Sequence, residues 1–309
     1  MRLVIALGGN ALLRRGEVPD ASVQLDHVRA AALSLAPLIE EHEVLLVHGN
    51  GPQVGLLAIE SAGDTTLSRP YPLDALGAQT QGMVGYWLCQ ALTNAGLSRP
   101  VVAVVTQTVV SAADPAFDAP DKPIGSVYSH QVALERQQDH GWSIAPDGDG
   151  WRRTVASPRP ERIVEHPVVL ALLRSGTAVI CAGGGGAPVV TGDVGHLRGV
   201  EAVVDKDWVA SMLAVAVDAD ELLVLTDVSQ VVRDFGTDRA VALDTLTVAE
   251  IGRMEFAAGS MGPKVAACAQ FATTTGRPAR IGALEQAADV LGGKAGTAVV
   301  QEDGAMPVR

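Results

Sequence analysis

The chain of 309 residues is 48% hydrophobic and 19% charged, with 33 glycines, a globular composition long enough for two lobes or one large α/β domain. Its formal net charge of −12 excludes sequence-general nucleic-acid binding, which needs a basic face, and matches an anionic membrane surface poorly. Any anionic ligand must then be held by a few local positive groups.

Residues 2–7 form an apolar run, as in a strand buried on both faces, and end at Gly8-Gly9-Asn10. Asp20 is placed to cap a helix running to about residue 41. A second buried strand, 43–48, ends at Gly49-Asn50-Gly51-Pro52, with a helix opening near Gln53. Two strand–glycine–helix units thus stand side by side, and in open α/β sheets ligands sit beyond the carboxyl ends of the strands. Glycine there lets backbone N–H groups turn toward an anion. Neither loop is a P-loop or a Gly-x-Gly-x-x-Gly fingerprint. His48-Gly49-Asn50-Gly51 is similar to an esterase oxyanion loop, but the chain has no Gly-x-Ser-x-Gly elbow.

Residues 72–95 read as a long helix and 101–106 as a third buried strand. Residues 112–160 are rich in Asp, Pro, Gly and Trp with weak periodicity, the pattern of a lid or small subdomain, with Trp142 and Trp151 in a core of its own. A helix over 164–175 and a strand over 177–182 lead to a third glycine loop, Gly183-Gly184-Gly185-Gly186. A hairpin is expected over 189–203, turning at Asp193-Val194-Gly195. An amphipathic helix then starts at Lys206 and runs to about residue 219. The rest reads as a second lobe: a strand over 221–225 ending in Thr226-Asp227, a helix over 248–254, and a helix opened by Gly259-Ser260-Met261-Gly262-Pro263-Lys264. Short strands at 278–282 and 297–300 flank a helix over 284–291, and a frayed tail follows Gln301.

Cys89, Cys181 and Cys268 lack zinc or redox spacing and read as buried apolar residues of a reducing cytosol. No apolar run reaches a membrane span, and residues 2–7 are too short for a signal-peptide core, so a cytoplasmic protein without a membrane partner is expected. The seven histidines are scattered, and His48 reads as a packed or capping residue.

The chain has only four lysines, at 122, 206, 264 and 294, against nineteen arginines. Lys206, in Asp205-Lys206-Asp207, therefore marks a place where a compact point charge suits better than a planar fork. Read alone, the triplet also fits a solvated ion-pair cluster at a helix start, or a two-carboxylate hydrolase that nothing else supports. Phosphoryl transfer, by contrast, needs positioned positive charge on the moving group and its flanking oxygens. Three of the four lysines lie in loop or helix-start contexts that could supply it; Lys294 reads as a surface residue.

These motifs, in this order, resemble carbamate kinase, in the wider amino-acid kinase group, from residue 3 to about residue 300. The resemblance implies a three-layer αβα fold with an open, mostly parallel sheet. It divides the chain into a carbamoyl-phosphate lobe (1–207, with a protruding lid at about 112–160) and a nucleotide lobe (208–309), in a homodimer. It implies reversible phosphoryl transfer between carbamoyl phosphate and ADP, giving ATP and carbamate, with magnesium. Gly8, Gly9 and Asn10 would face the phosphoryl group. Gly49, Asn50 and Gly51 would hold the carbamoyl side, joined by Gly184 and Gly185. Lys122 would reach in from the lid. Lys206 and Lys264 would neutralise the migrating phosphoryl group and the nucleotide phosphates, organised by Asp207. Thr226, Asp227, Met261 and Gly262 would line the nucleotide pocket. No carboxylate pair announces the magnesium ligands. Val232 stands where relatives often carry a tyrosine against the adenine, and Ser126 and Ala156 where they often carry proline. The resemblance leaves room for a non-catalytic sensor or a kinase of another small acid on the same fold.

Overall fold

A computed structural model describes residues 1–14, 16–256 and 261–301. In chain order the first half comprises β1 (Arg2–Leu7), α1 (Ala21–Glu41), β2 (Glu43–His48), α2 (Gly51–Gly63), α3 (Leu73–Asn94), β3 (Val101–Val104) and β4 (Gln107–Val110). A protruding part follows: β5 (Lys122–Tyr128), α4 (His130–His140), β6 (Ser143–Asp147) and β7 (Gly150–Val155). The chain returns through β8 (Pro160–Ile163), α5 (His166–Arg174), β9 (Ala178–Cys181), β10 (Ala187–Thr191), β11 (Leu197–Gly199) and α6 (Lys206–Ala216). It ends with β12 (Glu221–Thr226), β13 (Val231–Arg233), β14 (Val241–Leu243), β15 (Thr245–Thr247), α7 (Val248–Ile251), α8 (Met261–Thr275), β16 (Ala279–Ala283), α9 (Ala287–Leu291) and β17 (Thr297–Val300).

One eight-stranded sheet, ordered β15-β17-β16-β12-β1-β2-β9-β3, runs through both parts of the chain. Six neighbours from β16 to β3 are parallel, and β17 joins β16 antiparallel. Side chains of β1 alternate between two cores, as period-2 geometry requires. Val4 and Ala6 pack with Val209 and Leu213 of α6 and Phe271 of α8, whereas Leu3, Ile5 and Leu7 pack with Leu35 of α1, Leu88 of α3 and Val290 of α9. Helices on both faces explain why these strands are apolar throughout. The expected three-layer αβα fold is the one observed.

Register matters more than layer count for the site. Leu7 is level with both His48 and Leu225 across the β1–β2 and β1–β12 pairs. The loops after β1, β2 and β12 therefore open at one edge of the sheet.

Several expected boundaries shift for local reasons. The strand expected over 101–106 is two strands: β3 stays in the large sheet, while β4 joins a second sheet, β11-β10-β4-β8. The break falls at Thr106, whose N–H and carbonyl are taken by the Gln81 side chain at 3.0 and 3.1 Å. Asp20 occupies the N-cap of α1 without a side-chain cap bond. The helix expected over 248–254 stops at Ile251, although a Thr247–Glu250 capping box starts it. The helix expected at 284 begins as a 3-10 turn, Leu284–Gln286. The hairpin at Asp193-Val194-Gly195 forms as expected, between β10 and β11.

The 112–160 segment is more regular than its sequence suggests. β5, β7 and β6 form a three-stranded antiparallel sheet backed by α4. Trp142 is buried there under the Arg153 guanidinium, 4.9 Å above its ring, and Trp151 stacks on His130 at 4.3 Å. Among the described residues no helix is long and apolar enough to cross a membrane.

Candidate active site

The N-terminus of α6 is built by its own sequence. Asp205 is the N-cap, and its Oδ1 accepts the Asp207 N–H at 2.8 Å. That turn sends the side chains of Lys206 and Asp207 back toward each other, and Lys206 Nζ donates to Asp207 Oδ1 at 2.6 Å. Lys264, on the first turn of α8, donates to the other oxygen, Asp207 Oδ2, at 3.3 Å. Lys122 arrives from the protruding sheet and donates to Asp205 Oδ2 at 2.6 Å. Lysines 58 to 142 positions apart in sequence thus place three ammonium groups on two carboxylates separated by one residue.

Burial sets the electrostatics. The side chains of Asp207, Lys206 and Lys264 are 4%, 11% and 15% exposed, so water screens them little. At Lys206 burial disfavours the ammonium and lowers its pKa, with Asp207 pulling the other way. At Lys264 burial again opposes charge, but Asp207, Asp205 and Asp227 together outweigh it and raise the pKa. Burial also opposes the Asp205 carboxylate, yet Lys122 and Lys206 hold it well below the usual carboxylate range.

The glycine loops form the floor. Gly8 N–H donates to the Leu225 carbonyl at 2.8 Å and Gly49 N–H to the Leu7 carbonyl at 3.0 Å. Both amides are committed to holding the loops against the sheet, so a ligand would draw on Gly9, Asn10, Asn50 or Gly51 instead. Only glycine fits at 49: a Cβ there would lie 2.9 Å from both Gly9 N and Cα, and 3.3 Å from Lys206 Cε. The two loops touch, with the Lys206 stem across them. Asn50 is fixed by a 2.7 Å bond from Nδ2 to Thr80 Oγ1, and its amide covers Gly184. Gly185 lies behind, against the Val204 carbonyl. On the opposite side Asn10 Nδ2 and Thr226 Oγ1 donate to the two oxygens of Asp227, at 2.9 and 3.0 Å.

Of the site residues expected from the sequence, all but Gly185 and Gly262 line a single cleft of about 1230 Å³. Met261 and Val232 do; Gly259 and Ser260, in the expected helix-opening motif, lie outside the described residues. Lys294 is exposed and does not line the cleft. Counting lysines missed the arginines of the cleft, Arg152, Arg233 and Arg253, and its apolar wall at Phe235 and Phe256.

His48 is buried and neutral. Burial pushes its pKa down to about 4, against the Gly49 carbonyl that accepts from Nδ1 at 2.9 Å. The unfolded chain takes up a proton near pH 6.5 that the native chain refuses until about 4, so stability falls as pH drops through that window. Urea unfolding from pH 7 to 4 should show His48→Gln losing about 3 kcal/mol less than the parent chain. Equal slopes in the two proteins would refute the assignment. Cys181 and Cys268 are buried with their thiol pKa values raised by burial, the former to about 12, which leaves them packing groups.

The profile of the amino acid kinase family matches residues 1–283. The carbamate kinase of Haemophilus influenzae is 46% identical over 303 residues, covering 98% of this chain and 97% of that protein. This chain belongs to the amino acid kinase family, in its carbamate kinase branch. Among solved structures of the branch, carbamate kinase from Giardia lamblia bound to citric acid superposes with a TM-score of 0.91 at 38% identity, over 97% of this chain and 98% of that one. The same Giardia enzyme bound to AMP-PNP gives 0.87 at 38% identity, over 97% and 98%. Val232 lies in the cleft wall, whereas Ser126 is exposed on β5.

Proposed function

We propose that this chain catalyses phosphoryl transfer between carbamoyl phosphate and ADP, giving carbamate and ATP, reversibly. The observation that carries the reading is the gathering of Lys122, Lys206 and Lys264 on Asp205 and Asp207, over two touching glycine loops. In the forward direction a terminal β-phosphate oxygen of ADP attacks phosphorus, and the bond from phosphorus to the carbamoyl oxygen breaks. Carbamate leaves as an anion, so no side chain need supply or remove a proton. What the reaction needs is positive charge that stays fixed while negative charge moves.

Lys206, between the loops and the helix start, serves the phosphoryl group in flight. Lys264, beside Asp227, serves the nucleotide phosphates, and Lys122 the carbamoyl-phosphate end. Asp207 holds two of the ammonium groups at one spacing. The N-terminus of α2, at Gly51, adds a partial positive charge on the carbamoyl side. Val232, Phe235 and Phe256 give the nucleotide end an apolar wall suited to a purine.

Among the described residues no group of three or more His, Cys, Asp or Glu could cage a metal ion. That fits magnesium, which is normally carried on phosphates and water with one or two carboxylates. Asp227 would meet such an ion at the nucleotide end, and the ion would neutralise nucleotide phosphate charge. The reading is tested by ATP formation from carbamoyl phosphate, ADP and magnesium, alongside calorimetry of each ligand. Turnover with carbamoyl phosphate as the best donor of a panel is expected. Binding of both ligands without turnover would overturn the assignment in favour of a sensor.

A further inference from the structure

Two glycines that close their motifs, Gly55 after His48-Gly49-Asn50-Gly51 and Gly125 after Lys122-Pro123-Ile124, take no part in the chemistry above. In the fold they meet. Gly55 is on the second turn of α2, whose N-terminus borders the cleft. Gly125 has φ +72° and sits where the β5–β7 register shifts. A Cβ on Gly55 would lie 1.9 Å from Gly125 Cα and 2.4 Å from its nitrogen. The contact is backbone on backbone, with no side chain able to move aside. Arg152 braces it from the far side, donating from Nη2 to the Gly125 carbonyl at 2.9 Å while Asp147 holds its Nη1 at 3.0 Å. Buried Ile124, Val54, Val155 and Val203 fill the space around it. Three residues before Gly125 on the same strand is Lys122.

We propose that the Gly55–Gly125 approach is the seat that sets the height of the protruding sheet over the cleft, and so the reach of Lys122. Both glycines are positioning residues for the transfer, a claim that rests on the function proposed above. Carbon atoms in contact stand about 3.5–4.0 Å apart, so a methyl at position 55 forces β5 back by roughly 1.5–2 Å. Lys122 then leaves Asp205 and the substrate. The helix itself gains, because alanine is the better helix former.

Gly55→Ala, Lys122→Ala and the double variant are compared by steady-state kinetics. A misplacement of this size costs about 10²-fold in rate, so kcat/KM for carbamoyl phosphate should fall on that order in Gly55→Ala, with KM for ADP unchanged. Because the loss runs through Lys122, the double variant should be no worse than Lys122→Ala, a strong non-additivity that a general structural defect would not produce. Hydrogen exchange over 122–128 and 150–155 should quicken in Gly55→Ala while β1 and β2 stay protected. Additive losses, unchanged kcat/KM, or unchanged exchange would each overturn the seat. Should Gly55→Ala fail to fold, Arg152→Gln, which frees the Gly125 carbonyl without touching α2, must give the same non-additive pattern more weakly, and additivity there is equally fatal. If the parent chain does not turn over carbamoyl phosphate, the proposed activity falls, and exchange at 122–128 alone decides the seat.

Discussion

Lys206→Ala should lower kcat by about 10²–10³, or roughly 3–4 kcal/mol of transition-state stabilisation. The loss belongs mainly to kcat because this ammonium meets charge that grows as the phosphoryl group leaves one oxygen for another. KM for ADP should move little, whereas Lys264→Ala, at the nucleotide end, should raise it. The fold should survive, since Asp207 keeps Lys264 as a partner at 3.3 Å when Lys206 is gone. Arginine should not rescue. Its planar fork is wider than an ammonium, and the Lys206 stem already runs so close to Gly49 that a Cβ there would be 3.3 Å from Cε. Coupled assays of the alanine and arginine variants read this directly. A kcat within threefold of the parent for Lys206→Ala would remove Lys206 from the chemistry.

The sequence carried this site because its parts are local signals. A glycine run after an apolar strand marks a strand end in an α/β sheet, and a rare lysine in an arginine-rich chain marks a place where geometry matters. Register then does what spacing could not show. Leu7, His48 and Leu225 stand level only because β12, a late strand, inserts directly beside β1. No local pattern announces that insertion, and the sheet continues across the boundary that the resemblance implies at residue 207. Arg152 was missed for a related reason: its use depends on a β-bulge at Gly125 in a segment with weak periodicity. The break at Thr106 was illegible because Gln81, 25 residues earlier, competes for its backbone. Pairwise contacts add a second service for two of the loop glycines: the Gly8 and Gly49 amides hold the sheet edge, and the missing Cβ at Gly49 lets the two loops touch.

Asp207→Ala should be the most destabilising change at the site. It leaves two ammonium groups, 11% and 15% exposed, with no common counter-charge. Breaking a buried pair from one side costs about 3–5 kcal/mol, because the surviving charge stays desolvated. For a chain of this size that is on the order of 10 °C in Tm. Asp207→Asn keeps the volume and one acceptor oxygen, so its stability loss should be smaller while its activity loss stays large. The two variants separate support from chemistry. The lowered pKa of Lys206 adds a third readout. Burial already disfavours that ammonium and Asp207 opposes the effect, so removing the carboxylate must lower the pKa further. The alkaline limb of kcat/KM, which reports the free enzyme, should therefore move to lower pH in Asp207→Asn. Inorganic phosphate supplies the missing charge from outside. It should raise the Tm of Asp207→Ala more than that of the parent, because an anion that binds only the native cleft stabilises by mass action. Equal Tm gains in both proteins would mean that the lysines are neutralised by something other than Asp207.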